Sequence, residues 1–478
     1  MPRWRSGLTR MPGKHVSLML AQVQILLSAL RFLYKFLQSK NYMAKEIILE
    51  RSYTFADLNI LPGRIYRDTP PDKINLEAPM VKYNKRAGEK PLYTINPPIV
   101  SAAMQCISGT SDNIEANLAM YRLTGIAGVV NCTQSIEREV EVIKKLKQAG
   151  AEIIPAAIST QDYKSRIPVL IKAGADIFFV DTSQGMSDHE KDAIEFFRKQ
   201  KDLIRFSKYN FPIPIIGGNI VTAEGFDFLV SECGADGVKE GMGSGRGCTT
   251  PYAIGLGRDA GTATEKLAKR RDDYYNAHGI YVPIYVDGGV NAFSDIVKAL
   301  AVGGDVVMIG RMIAGTPDTP NPIYTVRFLS KDGIKRTVYQ GPAKEFYYEA
   351  SNRARMNAGF PGRDYSSLYE EGIEGWVKVP VKNDGTPEPL EEFLGRAAII
   401  ARDATRKAGC KDIETLHTDS KLELAREPAY SGSDLDVAIW PHEYVEVCKN
   451  EELTDEDKWI PAKELNKFLN ETKELELV

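Results

Sequence analysis

From about residue 97 onward, short apolar, β-rich runs alternate with amphipathic stretches of helix length. The runs centre on Val100, Val129, Pro155, Phe179, Ile215, Val238, Tyr285 and Val307. Between them lie helical segments such as "SIEREVEVIKKLKQAG", "HEKDAIEFFRKQKDLIRF" and "NAFSDIVKALAVGG", the first and third ending on glycine stops. Alternation of this kind predicts parallel βα units. Eight of them favour a (β/α)8 TIM barrel over an open doubly wound sheet, where six strands are commoner.

Two longer excursions interrupt the rhythm. "GMGSGRGCTTPYAIGLGRDAGTA" follows the sixth run and leads to a helix at about 263–279; the other follows the eighth run. Loops leaving the C-terminal ends of barrel strands carry the active site, and long ones are usually lids or binding loops. The expected organisation is a barrel over 43–435, including a flap at about 341–375, and an acidic C-terminal tail over 436–478. Residues 1–42 hold seven Arg or Lys and no Asp or Glu, and their apolar stretch Val16–Tyr34 is too interrupted for a membrane span. The segment reads either as a targeting peptide or membrane-surface helix or as an extension outside the native chain, which then starts at Met43; the second is the expectation.

Composition narrows the function classes. The 478 residues are 26% charged and 43% hydrophobic with a net charge of −3, so nothing marks the whole chain as a nucleic-acid binder. No stable membrane association is expected either. Six scattered cysteines without C-x-x-C suit a reduced, cytoplasmic protein. Five separated histidines exclude the H-E-x-x-H metalloenzymes.

The chemistry concentrates at the expected strand ends. Gly241, Gly243, Gly245 and Gly247 deliver the chain to Cys248, Thr249 and Thr250. Glycines let a flat or anionic ligand approach the backbone. A cysteine is more often a small buried hydrophobe, which suits the other five, but a glycine loop is a poor core site. Cys248 therefore reads as a nucleophile, suited to an electron-poor carbon of a heterocycle. Gly288, Gly289, Gly310 and Arg311 follow the seventh and eighth runs, where many barrels bind phosphate, although tight turns look the same. Asp287 is placed to bind a ribose diol, and Asp181 and Asn219 to hold a second ligand.

"FADLNILPG", "VSAAMQ", "DTSQG", "GGNIVTAE", "GMGSGRGCTT", "VDGGV", "GGDVVMIGRMIAGT" and "EGIEG" run in order from about residue 55 to 375. As a set they resemble the IMP dehydrogenase / GMP reductase family, closer to IMP dehydrogenase. The resemblance implies a homotetrameric barrel that oxidises IMP to XMP with NAD. It implies Cys248 as the nucleophile at purine C2, Thr250 near the hydrolysis site, and Arg363 and Tyr365 as the flap pair that activates water. Substrate contacts are implied for Ser101, Met104, Arg246, Asp287, Gly288, Gly289, Gly310, Arg311, Tyr339, Gly341 and Glu371. Cofactor contacts fall to Asp181, Thr182, Ser183, Asn219, Gly241 and Gly243, and the carbonyls of Gly243, Gly245 and Cys248 would hold a monovalent cation, usually potassium.

The sequence also departs from the family. Arg246 stands where a phosphate-binding serine is usual, Pro251 replaces an Arg or Gln, and "SGS" at 431–433 replaces the cation-binding "EGG". Arg353 and Arg355 rival Arg363 as the flap arginine. The regulatory CBS modules have no room, because the second barrel helix runs directly into "AEIIPAAI". The other readings are a GMP reductase, which deaminates GMP with NADPH, and an inactive purine-nucleotide-binding barrel.

Overall fold

The structure, a computed structural model, describes residues 48, 50–200, 212–244, 250–329, 337–349, 351, 353–354, 372–425 and 445–447. The chain divides into two compact units, Met1–Arg51 and Ser52–Val478, and all the described strands and helices belong to the second. Ahead of the βα repeat lie β1 (Leu58–Ile60) and an antiparallel pair, β2 (Ala78–Pro79) and β3 (Thr94–Ile95). Then come β4 (Ile99–Ser101), β5 (Pro155–Ile158), β6 (Ile177–Val180), β7 (Ile215–Ile220), β8 (Gly237–Glu240), β9 (Ile284–Asp287) and β10 (Val306–Ile309). Beyond them are β11 (Ile323–Leu329), β12 (Thr337–Tyr347), β13 (Glu374–Lys378), β14 (Leu422–Leu424) and β15 (Val445–Val447).

β4 to β10 form one seven-stranded parallel sheet in the order β4-β10-β9-β8-β7-β6-β5. Its first strand therefore pairs with its last, and the order never reverses as it would in a doubly wound sheet. Seven of the eight expected runs are strands in this sheet. The eighth, near Val129, makes only an isolated parallel bridge, Val130 to Ala156. On its other side the Val129 N–H donates to the Ser101 hydroxyl at 3.0 Å instead of to a backbone carbonyl, which ends the ladder there.

The strands read as unbroken apolar runs because both faces are buried. Ile177 and Phe179 enter an inner cluster with Val100, Ala157, Ile216, Tyr285, Val306 and Met308, drawn from both edges of the sheet. Their neighbours Phe178 and Val180 face outward onto Ile143, Leu146, Ile167, Leu170, Ile194 and Phe197 of the covering helices. One inner cluster uniting β4 with β5 requires the sheet to curl. Met80, Tyr93 and Ile95 of the β2–β3 segment join that cluster, and the Tyr285 hydroxyl donates to Met80 O at 2.6 Å.

A short sequence device recurs at the N-terminal ends of the strands. Gly174-Ala175-Asp176, Gly234-Ala235-Asp236 and Gly303-Gly304-Asp305 each turn through a glycine with positive φ. Each aspartate then accepts the backbone N–H at the start of the preceding strand region, from Ile154, Ile215 and Ile284 respectively. A cation completes every case: Lys147 on Asp176, Arg198 and Lys82 on Asp236, and Arg271 on Asp305.

Most of the expected flap, including 355–371, lies outside the described residues, and its two ends fall in β12 and β13. β11, β12, β13 and β15 form a separate four-stranded antiparallel sheet, in the order β13-β12-β11-β15. Val445–Val447, inside the expected tail, pairs with β11; three residues of extended backbone are enough to fill a free edge. Arg363 and Tyr365 lie outside the described residues. Among the described residues no helix is long and apolar enough to cross a membrane.

The Asp305 site generates a stability test. Asp305 and Arg271 are 1% and 2% exposed, and Asp305 also accepts from the Tyr281 hydroxyl at 2.7 Å. Asp305→Ala strands a buried guanidinium, so urea unfolding should show a loss of about 3–5 kcal/mol. Asp236→Ala should lose less, because Lys82 and Arg198 keep about a third of their side chains in water. Equal losses would contradict this account.

Candidate active site

The polar residues at the C-terminal ends of the strands converge on Lys239 in β8. Its neighbours Val238 and Glu240 face outward, so Lys239 points into the mouth of the curled sheet. Its side chain is 4% exposed, and the ammonium reaches Asp181 Oδ1, just past β6, at 2.7 Å and Asp287 Oδ2, at the end of β9, at 3.3 Å. Burial alone would lower its pKa, but the attraction of Asp181 and then Asp287 outweighs that, and the net shift is upward. Lys239 stays charged at neutral pH and joins a carboxylate assigned to the cofactor with one assigned to the ribose.

The backbone around it is shaped for close approach. A Cβ on Gly241 would lie 1.9 Å from Asp287 O, and one on Gly218 would lie 2.5 Å from Lys239 O, so both positions need glycine. The Asn219 side-chain amide donates to Gly241 O at 2.7 Å and to Asp287 Oδ2 at 3.1 Å. Its own Oδ1 is buried without a partner among the described residues, which fits a ligand N–H such as that of a carboxamide. Behind the mouth, Glu190 accepts from Gly218 N–H at 2.7 Å and from the Thr182 hydroxyl at 3.0 Å. Burial pushes Glu190 up to about 8, which those two donors only partly offset.

On the opposite rim Arg311 donates to Asn291 Oδ1 at 2.6 Å, and Asn291 donates to Gly289 O at 3.0 Å. The two glycine turns after β9 and β10 are thus tied together. The Met104 sulfur lies 3.1 Å from where a Cβ would stand on Gly310, so the loop after β4 touches the same turn. Asp181, Asn219, Gly241 and Asp287 are drawn together, as are Gly289, Gly310, Arg311 and Met104. Thr182 lies beside Gly218, whose carbonyl its hydroxyl also reaches at 3.0 Å. Gly288 follows Asp287, Ser183 is exposed beyond Thr182, and Gly243 carries a positive φ beside Pro251. Thr250 is buried at the start of the short helix Thr250–Ala253.

Tyr339 and Gly341 lie in β12 of the antiparallel sheet. The Tyr339 hydroxyl donates to Pro342 O at 2.8 Å and its ring packs on Phe328. β12 meets the loops of the parallel sheet at two places: the Lys344 ammonium donates to Thr316 O and Thr319 O beyond β10, each at 2.8 Å, and Tyr347 O accepts from the Cys106 thiol beyond β4 at 3.1 Å. Gly245, Arg246, Cys248, Arg363, Tyr365 and Glu371 lie outside the described residues. Cys106, Cys132, Cys233 and Cys410 are buried, and burial pushes each thiol up, Cys106 to about 12 and both Cys233 and Cys410 to about 11. Of the three carbonyls assigned to a cation, only that of Gly243 belongs to a described residue. Among the described residues no group of His, Cys, Asp and Glu could hold a metal ion.

Sequence reading missed Lys239, Glu190 and Asn291. Two adjacent charged residues inside a buried strand run were the one available signal, in "DGVKEG".

Glu240, next to Lys239 but facing outward, gives a measurable consequence. It is 0% exposed, and neither carboxyl oxygen has a hydrogen-bond partner among the described residues. Burial, with a smaller contribution from Asp287, holds its pKa well above the ordinary 4.5. Such an acid is neutral when folded and ionised when unfolded, so its contribution to stability falls as pH rises above the ordinary carboxyl range. Glu240→Leu removes the unpaired group and should stabilise by about 1–3 kcal/mol at neutral pH. The gain over wild type in urea midpoints should shrink as pH falls towards 4.5; a gain that is constant or grows on acidification would refute the assignment.

Comparison with known proteins matches residues 52–434 to the IMP dehydrogenase / GMP reductase domain. The inosine-5'-monophosphate dehydrogenase of Tritrichomonas foetus is 34% identical over 273 residues, covering 57% of this chain and 49% of that protein. The Aquifex aeolicus protein of the same name is 32% identical over 304 residues, covering 62% and 54%. The Cryptosporidium parvum protein, again of that name, is 27% identical over 404 residues, covering 73% and 89%. The chain spans about half the length of the first two relatives.

Proposed function

The chain belongs to the IMP dehydrogenase / GMP reductase family, and from that premise we propose that it oxidises IMP to XMP with NAD. One observation carries the reading further than family membership does: Lys239 joins Asp181 and Asp287 across a single mouth. A ribose diol on Asp287 and a nicotinamide on the Asp181 and Asn219 side are thereby held against each other. Around that mouth the reading completes an eight-position barrel, with the Val129 segment in the eighth place. A homotetramer in the cytoplasm, with no nucleic-acid partner and no stable membrane association, goes with the reading. So does potassium on the Gly243, Gly245 and Cys248 carbonyls.

The chemistry runs in two halves. The Cys248 thiolate adds to C2 of the purine, helped by the glycine loop that lets backbone N–H groups approach it. Bound NAD supplies the hydride acceptor. Loss of hydride from C2 leaves a thioimidate on Cys248, which water then cleaves; the C–S bond breaks, the thiolate is released and C2 becomes a carbonyl. Arg363, oriented by Tyr365 and in its neutral guanidine form, takes the proton from that water and becomes guanidinium. Gly289, Gly310 and Arg311 hold the phosphate through backbone N–H groups and the guanidinium, while Asp287 holds the ribose. Asn219 Oδ1 accepts a carboxamide N–H, and Lys239 fixes the two carboxylates without touching the reacting carbon.

Absorbance of the reduced cofactor tests the reaction directly. IMP with NAD should raise it and GMP with NADPH should leave it unchanged. The reverse pattern identifies a GMP reductase, and no change in either identifies a binding protein. Arg363→Ala should keep the first rapid burst of NADH but slow steady turnover by about 10²–10⁴-fold, as loss of a general base does. A burst and a steady rate that fall together would place the base elsewhere, with Arg355 the next candidate.

A further inference from the structure

Glu349 follows β12 and lies where the antiparallel sheet meets the parallel one. The loop after β4 binds it twice, through Gln105 N–H to Oε1 and the Gln105 side-chain amide to Oε2 at 3.3 Å. The segment after Val130 binds it once, through the Asn131 amide to Oε1 at 2.7 Å. Both anchors are themselves held, Asn131 donating to Ala103 O at 3.0 Å and Gln105 to Ala354 O at 2.9 Å. Gln105 is also the residue after Met104, which touches the Gly310 turn.

The two oxygens of Glu349 are therefore unlike. Oε1 is saturated by two N–H donors. Oε2 has, among the described residues, only the long contact to Gln105. The side chain is half-buried, and its anchors follow β4 and the Val129 segment while Asp181, just past β6, is close enough to repel it, so it stands at the C-terminal ends of the strands. A proton on this carboxyl belongs on Oε2, the oxygen with the weaker donor, where it makes an O–H donor.

We propose that Glu349 donates from Oε2, as a protonated carboxyl, to the carbonyl edge of the bound nucleobase and so selects 6-oxopurines. This rests on the reading that a purine nucleotide occupies the mouth. It makes Glu349 a specificity-determining residue that the motifs of the sequence did not contain. The groups that face it favour the neutral form. Asp181 repels a second negative charge, and the thiols of Cys106 and Cys132 are kept neutral by their own burial. Burial pushes Glu349 up to about 7, against the pull of the Gln105 and Asn131 donors. The donor is present in acid and is lost as pH rises through that value.

Calorimetry with IMP and with ribose 5-phosphate, at about pH 6 and about pH 8, reads the nucleobase contact alone, since phosphate ionisation is common to both ligands. In the wild type the ratio of IMP affinity to ribose 5-phosphate affinity should fall about fivefold to tenfold across that range, as an acid of pKa near 7 ionises. In Glu349→Gln the donors from Gln105 and Asn131 hold the amide oxygen inward and the NH2 outward. Its ratio should stay high at both pH values. In Glu349→Ala the ratio should be low throughout. A wild-type ratio that is flat or rising, or a Gln variant that follows the wild type, overturns the proposal. Failure of the wild type to bind IMP overturns it together with the functional reading. The expected pH pattern without XMP formation overturns the dehydrogenase reading alone.

Discussion

A buried ammonium between two carboxylates is the interaction on which the mouth of this barrel depends. Taking a charge out of water costs several kcal/mol, and Lys239 recovers that only because Asp181 and Asp287 both reach it. The two acids belong to different strand ends, so the lysine in β8 fixes the spacing of β6 and β9 where ligands would bind. Its stem also occupies the space beside Gly218, and the Asp287 carbonyl occupies the space beside Gly241. The glycines of the loops thus follow from the position of the charge network.

The two ends of the sheet handle polar groups in opposite ways. At the N-terminal end every strand-start aspartate is matched by a backbone N–H and a cation, as Asp305 is by Ile284 and Arg271. At the C-terminal end Asn219 Oδ1 is buried without a partner among the described residues, and Glu349 Oε2 has there only a 3.3 Å contact to the Gln105 amide. Satisfied groups stabilise a fold, whereas unsatisfied ones at a mouth are places for a ligand to complete. Glu240 belongs to neither class: it is fully buried beside Asp287 and costs stability.

The parallel strands were legible in the sequence because burial on both faces leaves unbroken apolar runs, and the glycines ending the helices marked the turns between them. Asp181, Asn219, Asp287 and Arg311 were legible for the same reason, since a polar residue just after such a run must stand at its open end. Other features depended on partners that sequence does not specify. The run at Val129 has strand composition, but on one side it meets the Ser101 hydroxyl instead of a strand. Val445–Val447 became a strand because β11 had an edge to offer. Glu349 was hidden among aromatic residues in "EFYYEAS", and its role comes from Gln105 and Asn131, more than 200 positions away.

The central claim is that one cation makes two ligand subsites into a single site. Calorimetric titration of IMP and of NAD into Lys239→Met, with unfolding monitored to confirm that the variant is folded, tests it most directly. Without the ammonium, Asp181 and Asp287 repel each other and both subsites lose their geometry, so the affinities for both ligands should fall together, with Lys239→Arg restoring part of each. Loss of affinity for one ligand with the other unchanged, or no loss at all in a folded variant, would contradict the account.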